Sequence, residues 1–148
     1  MHDRLPRAAL YLGALSLLAV GADHIQQYYV DNYSVVPTIG TLFFLNFVSA
    51  VVVAAGLVAP LRHVAGRFAD AIRASFAIAG IGIAAGALAG LFVSESSGLF
   101  GFVENGYRTP IVVAIAAEAA TIVFLATFLA LNGLGLRAIR AGNRPATA

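Results

Sequence analysis

Four apolar stretches, each long enough to cross a bilayer and separated by short polar joints, constrain this chain more than anything else in it. Residues 8–22 are unbroken except for the hydroxyls of Tyr11 and Ser16, and the helical pattern continues to Tyr29; residues 38–60 carry only Thr41, Asn46 and Ser49; residues 74–93 hold Gly80, Gly82, Gly86 and Gly90; and Pro110 opens a run to about Leu136. A hydrocarbon core of ~30 Å takes ~20 helical residues to cross. The expectation is therefore an all-α membrane protein, four transmembrane helices in an up-and-down bundle, with spans at about 6–29, 38–60, 72–93 and 110–136.

Composition agrees: 60% of the 148 residues are hydrophobic, 11% are charged and the mean hydropathy is +0.88. A soluble domain carries about a quarter charged residues. Four spans nearly exhaust the length, which makes 1–148 a single transmembrane domain ending in a basic, disordered tail at 137–148. Arg4 and Arg7 before an apolar run, with Val20-Gly21-Ala22 after it, would also suit a cleaved signal peptide. The unbroken helix pattern through Tyr29 favours a retained span. Without cysteine, thiolate metal sites and iron–sulfur clusters are excluded. The basic residues are all arginine, which together with the abundance of Ala and Gly points to a GC-rich bacterial genome.

Arginine placement orients the bundle. Arg4 and Arg7, Arg62, Arg67 and Arg73, and Arg137, Arg140 and Arg144 fall on one side, leaving Arg108 alone on the other. The positive-inside rule then puts both termini and the middle loop in the cytoplasm, making this a multi-pass protein of the cytoplasmic membrane. Tyr28, Tyr29, Tyr33 and Tyr107 fall on the opposite side, as an interfacial aromatic belt would. The arginines form no basic stripe, so no nucleic-acid partner is expected.

Heights measured from the cytoplasmic arginines single out one layer. At ~1.5 Å per helical residue, His24 lies ~25 Å from Arg7, Asn46 ~24 Å from Arg62 and Glu118 ~28 Å from Arg137. The same level on the third span falls at Gly86 to Gly90. A polar cluster of Asp23, His24, Gln27, Asn46 and Glu118 facing the bundle interior is the expected site. Ionisable groups inside a bilayer cost ~2.5 kcal/mol or more on insertion scales, so they pair or line cavities and draw attention as functional groups.

Each candidate has a plainer reading. Glu118 is either a proton-carrying or ligand-binding carboxylate or a buried acid that fixes helix register. Asp23 and His24 are either part of the site or the wet end of the first helix; His24 and Gln27 share a face, and Asp23 and Gln27 form an i, i+4 pair. One axial haem histidine, or a metal held by His24, Glu118 and Asp23, would fit the ligand types, but no residue set specifies a cofactor. Gly82, Gly86 and Gly90 form a small-residue stripe that predicts helix packing, inside the bundle or between copies in a homo-oligomer or larger membrane complex. The apolar 99–103 segment between Glu95 and Glu104 is either an interfacial stretch or a lid over the polar layer, with Arg108 as counter-ion to Glu118 or Glu104.

No complete catalytic set appears. Two classes of function follow. One is a non-enzymatic accessory or interaction subunit embedded in the lipid bilayer. The other is a small-solute, proton or redox-linked protein working through Glu118, His24 and Asn46, with haem or a metal as its variants.

Overall fold

The computed structural model describes residues 4–104, 106 and 108–142, with side chains as far as residue 133. Among them the chain is all helical. Helix α1 is Arg4–Val30 and α2 is Ile39–Val58; a short α3, Leu61–Ala65, leads into α4, Ala69–Ser96, and α5 is Thr109–Gly142. Four segments are long and apolar enough to cross a membrane: Arg4–Val30, Ile39–Val58, Leu61–Ser96 and Thr109–Gly133. Helix α5 thus continues into the segment expected to be a disordered tail, and residues 143–148 lie outside the described residues.

Local chemistry sets the ends. Pro6 and Pro110 sit in the first turns of α1 and α5, where a missing N–H removes no helical hydrogen bond. Pro60 forces Ala59 into an extended backbone, which stops α2. The carbonyls left over there are taken by one side chain: Arg73 donates from Nε to the Leu57 oxygen at 3.1 Å and from Nη2 to the Ala59 oxygen at 3.0 Å. Arg73→Ala is expected to lower stability by about 1–2 kcal/mol. Thermal unfolding in detergent checks this, and an unchanged midpoint would contradict the capping role.

The long helices form a ring in the order α1, α2, α4, α5, with α1 and α5 meeting most extensively and α1 and α4 barely touching across the diagonal. Helix α1 turns one stripe inward: Leu10, Ala14, Leu17, Val20, His24 and Gln27 are all buried, at spacings of three or four. Helix α5 does the same with Ile111, Ala114, Glu118, Thr121, Leu125 and Phe128. Leu17, Leu57 and Leu125 are completely enclosed at the core's centre. Outward-facing positions are just as apolar, with Leu15, Leu18, Val52, Ile78 and Val123 exposed, as contact with lipid requires.

The seam between α2 and α4 is closed only at the end holding Arg7 and Arg73, here called the terminal end. A Cβ added at Gly56 would strike the Phe76 ring at 2.5 Å, and one at Gly80 would strike Leu125 at 2.7 Å and Leu17 at 3.2 Å. Further along α4 the seam opens. Nothing lies within 4 Å of a Cβ added at Gly82 or Gly86, and Gly90 would meet only Leu99, at 3.7 Å. Among the described residues, then, no helix packs on the glycine stripe. The close approaches between helices are made by Gly13, Gly21, Gly56 and Gly80 instead.

Candidate functional site

The open part of the α2–α4 seam is a half-enclosed cavity of about 530 Å³. Its floor is α4, at Gly82, Gly86, Ala87 and Gly90, and its facing wall is α2, at Leu42, Phe43, Leu45, Asn46 and Ser49. Its inner wall is α1 and α5, which contribute His24, Gln27, Ile111, Ala114 and Glu118. Leu99, Phe100 and Phe102 cover the end away from the termini. The lining is mostly apolar with a few convergent polar groups, the usual make-up of a small-molecule site.

Four of the five residues expected in the polar layer line this space: His24, Gln27, Asn46 and Glu118. Asp23 is buried beside them without lining it, and accepts a hydrogen bond from Gln27 Nε2. The wet helix end is thus not what surrounds Asp23 and His24, which are 8% and 7% exposed. They are covered because the buried stripe of α1 continues through them, while Phe43 packs on the imidazole with ring centroids 4.9 Å apart.

Several polar atoms of this cluster have no partner. Glu118 is 2% exposed, and no hydrogen bond or ion pair to its carboxyl forms among the described residues. Asn46 Oδ1 is buried without a donor. His24 Nδ1 lies 2.9 Å from the Val20 carbonyl, which can only accept, so Nδ1 carries the proton and a neutral ring presents Nε2 as an acceptor. Among the described residues no group of three or more His, Cys, Asp or Glu gathers as metal ligands. His63 lies far off on α3, and His2 lies outside the described residues.

The cover over the cavity is built by a turn and a polar latch. Leu99 and Phe102 exchange backbone hydrogen bonds of 2.8 and 2.9 Å around Phe100 and Gly101, both at positive φ, the geometry of a type I′ turn. Ser94 pins this loop to the last turn of α4, its Oγ accepting the Glu104 N–H at 3.0 Å. Tyr33, from the α1–α2 connection, donates to Glu104 and accepts from Arg108 Nη2 at 2.8 Å. Arg108 also pairs with Asp31 at 3.3 Å and Glu104 at 3.6 Å. The Tyr33 ring stacks on Phe43 at 4.7 Å and meets the edge of Phe102 at 5.4 Å.

Two expectations change here. Tyr33 is no member of an interfacial belt; it is 5% exposed, because Phe43 and Phe102 sandwich it and its hydroxyl has charged partners inside. Tyr107 lies outside the described residues. Of the two counter-ions expected for Arg108, it takes Glu104 and not Glu118, and adds Asp31, which was not foreseen. The role of Tyr33 was hidden because an amphipathic ring suits an interface as well as an interior, and the only signal for it was the acid Asp31 two residues before it.

Burial, then the hydrogen bond and charge of Glu104, hold the Tyr33 phenol above its usual value, with Arg108 opposing. Burial also pulls Arg108 down, but Tyr33, Glu104 and Asp31 outweigh it and raise the guanidinium. A raised folded value means that Tyr33's contribution is complete below an ordinary tyrosine's value of about 10 and is lost as pH rises through the folded value. Tyr33→Phe is expected to destabilise the loop by about 1–2 kcal/mol at neutral pH. Its unfolding midpoint should converge with that of the parent protein in strong alkali; a gap that widens with pH would contradict the latch.

Compared with protein-family models, with curated proteins and with solved structures, the chain matches none of them.

Proposed function

We propose that this small integral membrane protein binds a small, mainly apolar molecule with a hydrogen-bonding head, non-enzymatically, in the α2–α4 cavity. The observation that carries the reading is the cavity itself: about 530 Å³, apolar along a glycine floor, with the Glu118 carboxyl and Asn46 Oδ1 unpartnered among the described residues at the other side. A void left by poor packing would have no reason to gather Glu118, Asn46 and His24, each costly to bury unmet. The opening lies between two helices whose outer faces are apolar, so a ligand would enter from the lipid. Arginine clustering supports a cytoplasmic location for both termini, which puts the cavity in the outer half of the cytoplasmic membrane.

The interaction-subunit reading rests on the same bared floor, since Gly82 and Gly86 could admit a helix of another copy or of a larger complex. Against it, an apolar helix seated there would leave Glu118 and Asn46 Oδ1 unmet.

The direct test uses n-decanol, a neutral chain with one hydroxyl, and the full chain in phosphatidylcholine nanodiscs. Saturable uptake above that of empty nanodiscs is expected, approaching about one molecule per chain, as a single pocket dictates. Uptake that rises without saturating, and matches empty nanodiscs, would sink the proposal.

A further inference from the structure

Three acceptor groups are left over in the cavity. Asn46 Oδ1 is an acceptor with no donor, His24 Nε2 is an acceptor in the neutral ring, and the Glu118 carboxyl has neither hydrogen-bond donor nor cation among the described residues. The lining's own donors are neutral, the Asn46 amide and the Ser49 hydroxyl, and the nearby cation Arg108 is already engaged. Gln27 Nε2 donates to Asp23, and Arg108 is held by Tyr33, Glu104 and Asp31. Among the described residues no arginine or lysine lines the cavity, while Glu118 and the Arg108-paired Glu104 do, and Asp23 lies close enough to Glu118 for their charges to interact. Any charge a ligand brings must therefore be positive, and the donors on such a head would meet the Glu118 carboxyl and Asn46 Oδ1. An anionic head would meet the Glu118 carboxyl, which has no counter-ion among the described residues.

Resting on the binding reading above, we infer that the head of the cavity takes a protonated amine on an apolar body, a lipophilic ammonium ion, with its N–H donors on Glu118 and Asn46 and its chain along Gly82 and Gly86. An ammonium ion supplies up to three donors to these acceptors, whereas an alcohol supplies one. Its hydrogen bonds to a carboxylate are charge-assisted. The surrounding apolar walls limit screening by water and salt.

Three probes of equal chain length separate the head from the body: n-decylamine, n-decanol and n-decanoic acid, each titrated into the full chain in phosphatidylcholine nanodiscs and corrected for empty nanodiscs. Decylamine is expected to saturate at about tenfold lower concentration than decanol, and decanoic acid to show no saturable component. Glu118→Gln should erase the amine's advantage while leaving decanol within about twofold. If Glu118→Gln does not accumulate, Asn46→Asp replaces it, and amine binding should tighten as a second carboxylate enters the lining. Decanol binding as tightly as decylamine, an advantage that survives Glu118→Gln, or weaker amine binding in Asn46→Asp would each overturn the ammonium inference while leaving the cavity reading in place. Saturation by none of the three would overturn both.

Discussion

Leucine at Gly80 is expected to keep the bundle from closing, whereas leucine at Gly82, two residues along the same helix, should be tolerated. Even the Cβ at Gly80 would lie 2.7 Å from Leu125 and 3.2 Å from Leu17, two side chains that are fully enclosed and cannot swing aside into lipid. Overpacking a dense interior typically costs ~1–3 kcal/mol, and occasionally more when whole branches must be placed. Here the intruding group stands where α1, α4 and α5 converge, so a loss at or above the top of that range is expected. At Gly82 the added side chain enters open space and gains intrinsic helix propensity of roughly 0.5–1 kcal/mol. Unfolding midpoints in detergent decide the matter. Equal damage at the two positions would mean that the seam is closed along its whole length.

Gly86→Leu is expected to abolish saturable ligand uptake with little change in stability. The position faces the cavity and has nothing within 4 Å of its Cβ, so a leucine there would occupy the channel between α4 and Asn46's helix. An apolar chain lying on the floor would lose its contacts along that length, at ~0.8 kcal/mol for each buried methylene displaced. Three or four such groups correspond to roughly a hundredfold weaker binding. This pairing of lost binding with intact folding separates a ligand groove from a packing surface. If the glycine face were an interface between copies, Gly86→Leu would instead change the oligomeric state, read by light scattering of the purified protein.

The four helices and their order were legible in the sequence because a bilayer fixes how long an apolar run must be. The inward direction of each helix was not. On α5, Val112, Val113 and Val123 are exposed and as apolar as Ile111 and Leu125, so no contrast between inner and outer faces marks the buried stripe. Only the polar residues broke that symmetry, which is why Glu118, His24 and Asn46 could be placed at one height from arginine positions alone. The glycine stripe was readable as a surface bare of side chains, but not as one left empty, because closure depends on bulk elsewhere: Phe76 against Gly56 at one end, and the Leu99–Phe102 turn at the other. The Tyr33–Glu104–Arg108–Asp31 latch joins residues more than seventy positions apart, and no local periodicity records such a pairing.

A ligand held by the α2–α4 seam on its glycine floor would lie against α2, and the chain's lack of tryptophan allows a clean optical reading there. A single tryptophan introduced by Leu45→Trp, on the facing wall, would be titrated with 10-bromodecylamine, whose bromine quenches indole on contact. Quenching should saturate in the Leu45→Trp protein and fall to the linear partition background when Gly86→Leu is added. Quenching that never saturates, or that is the same with and without Gly86→Leu, would contradict the account.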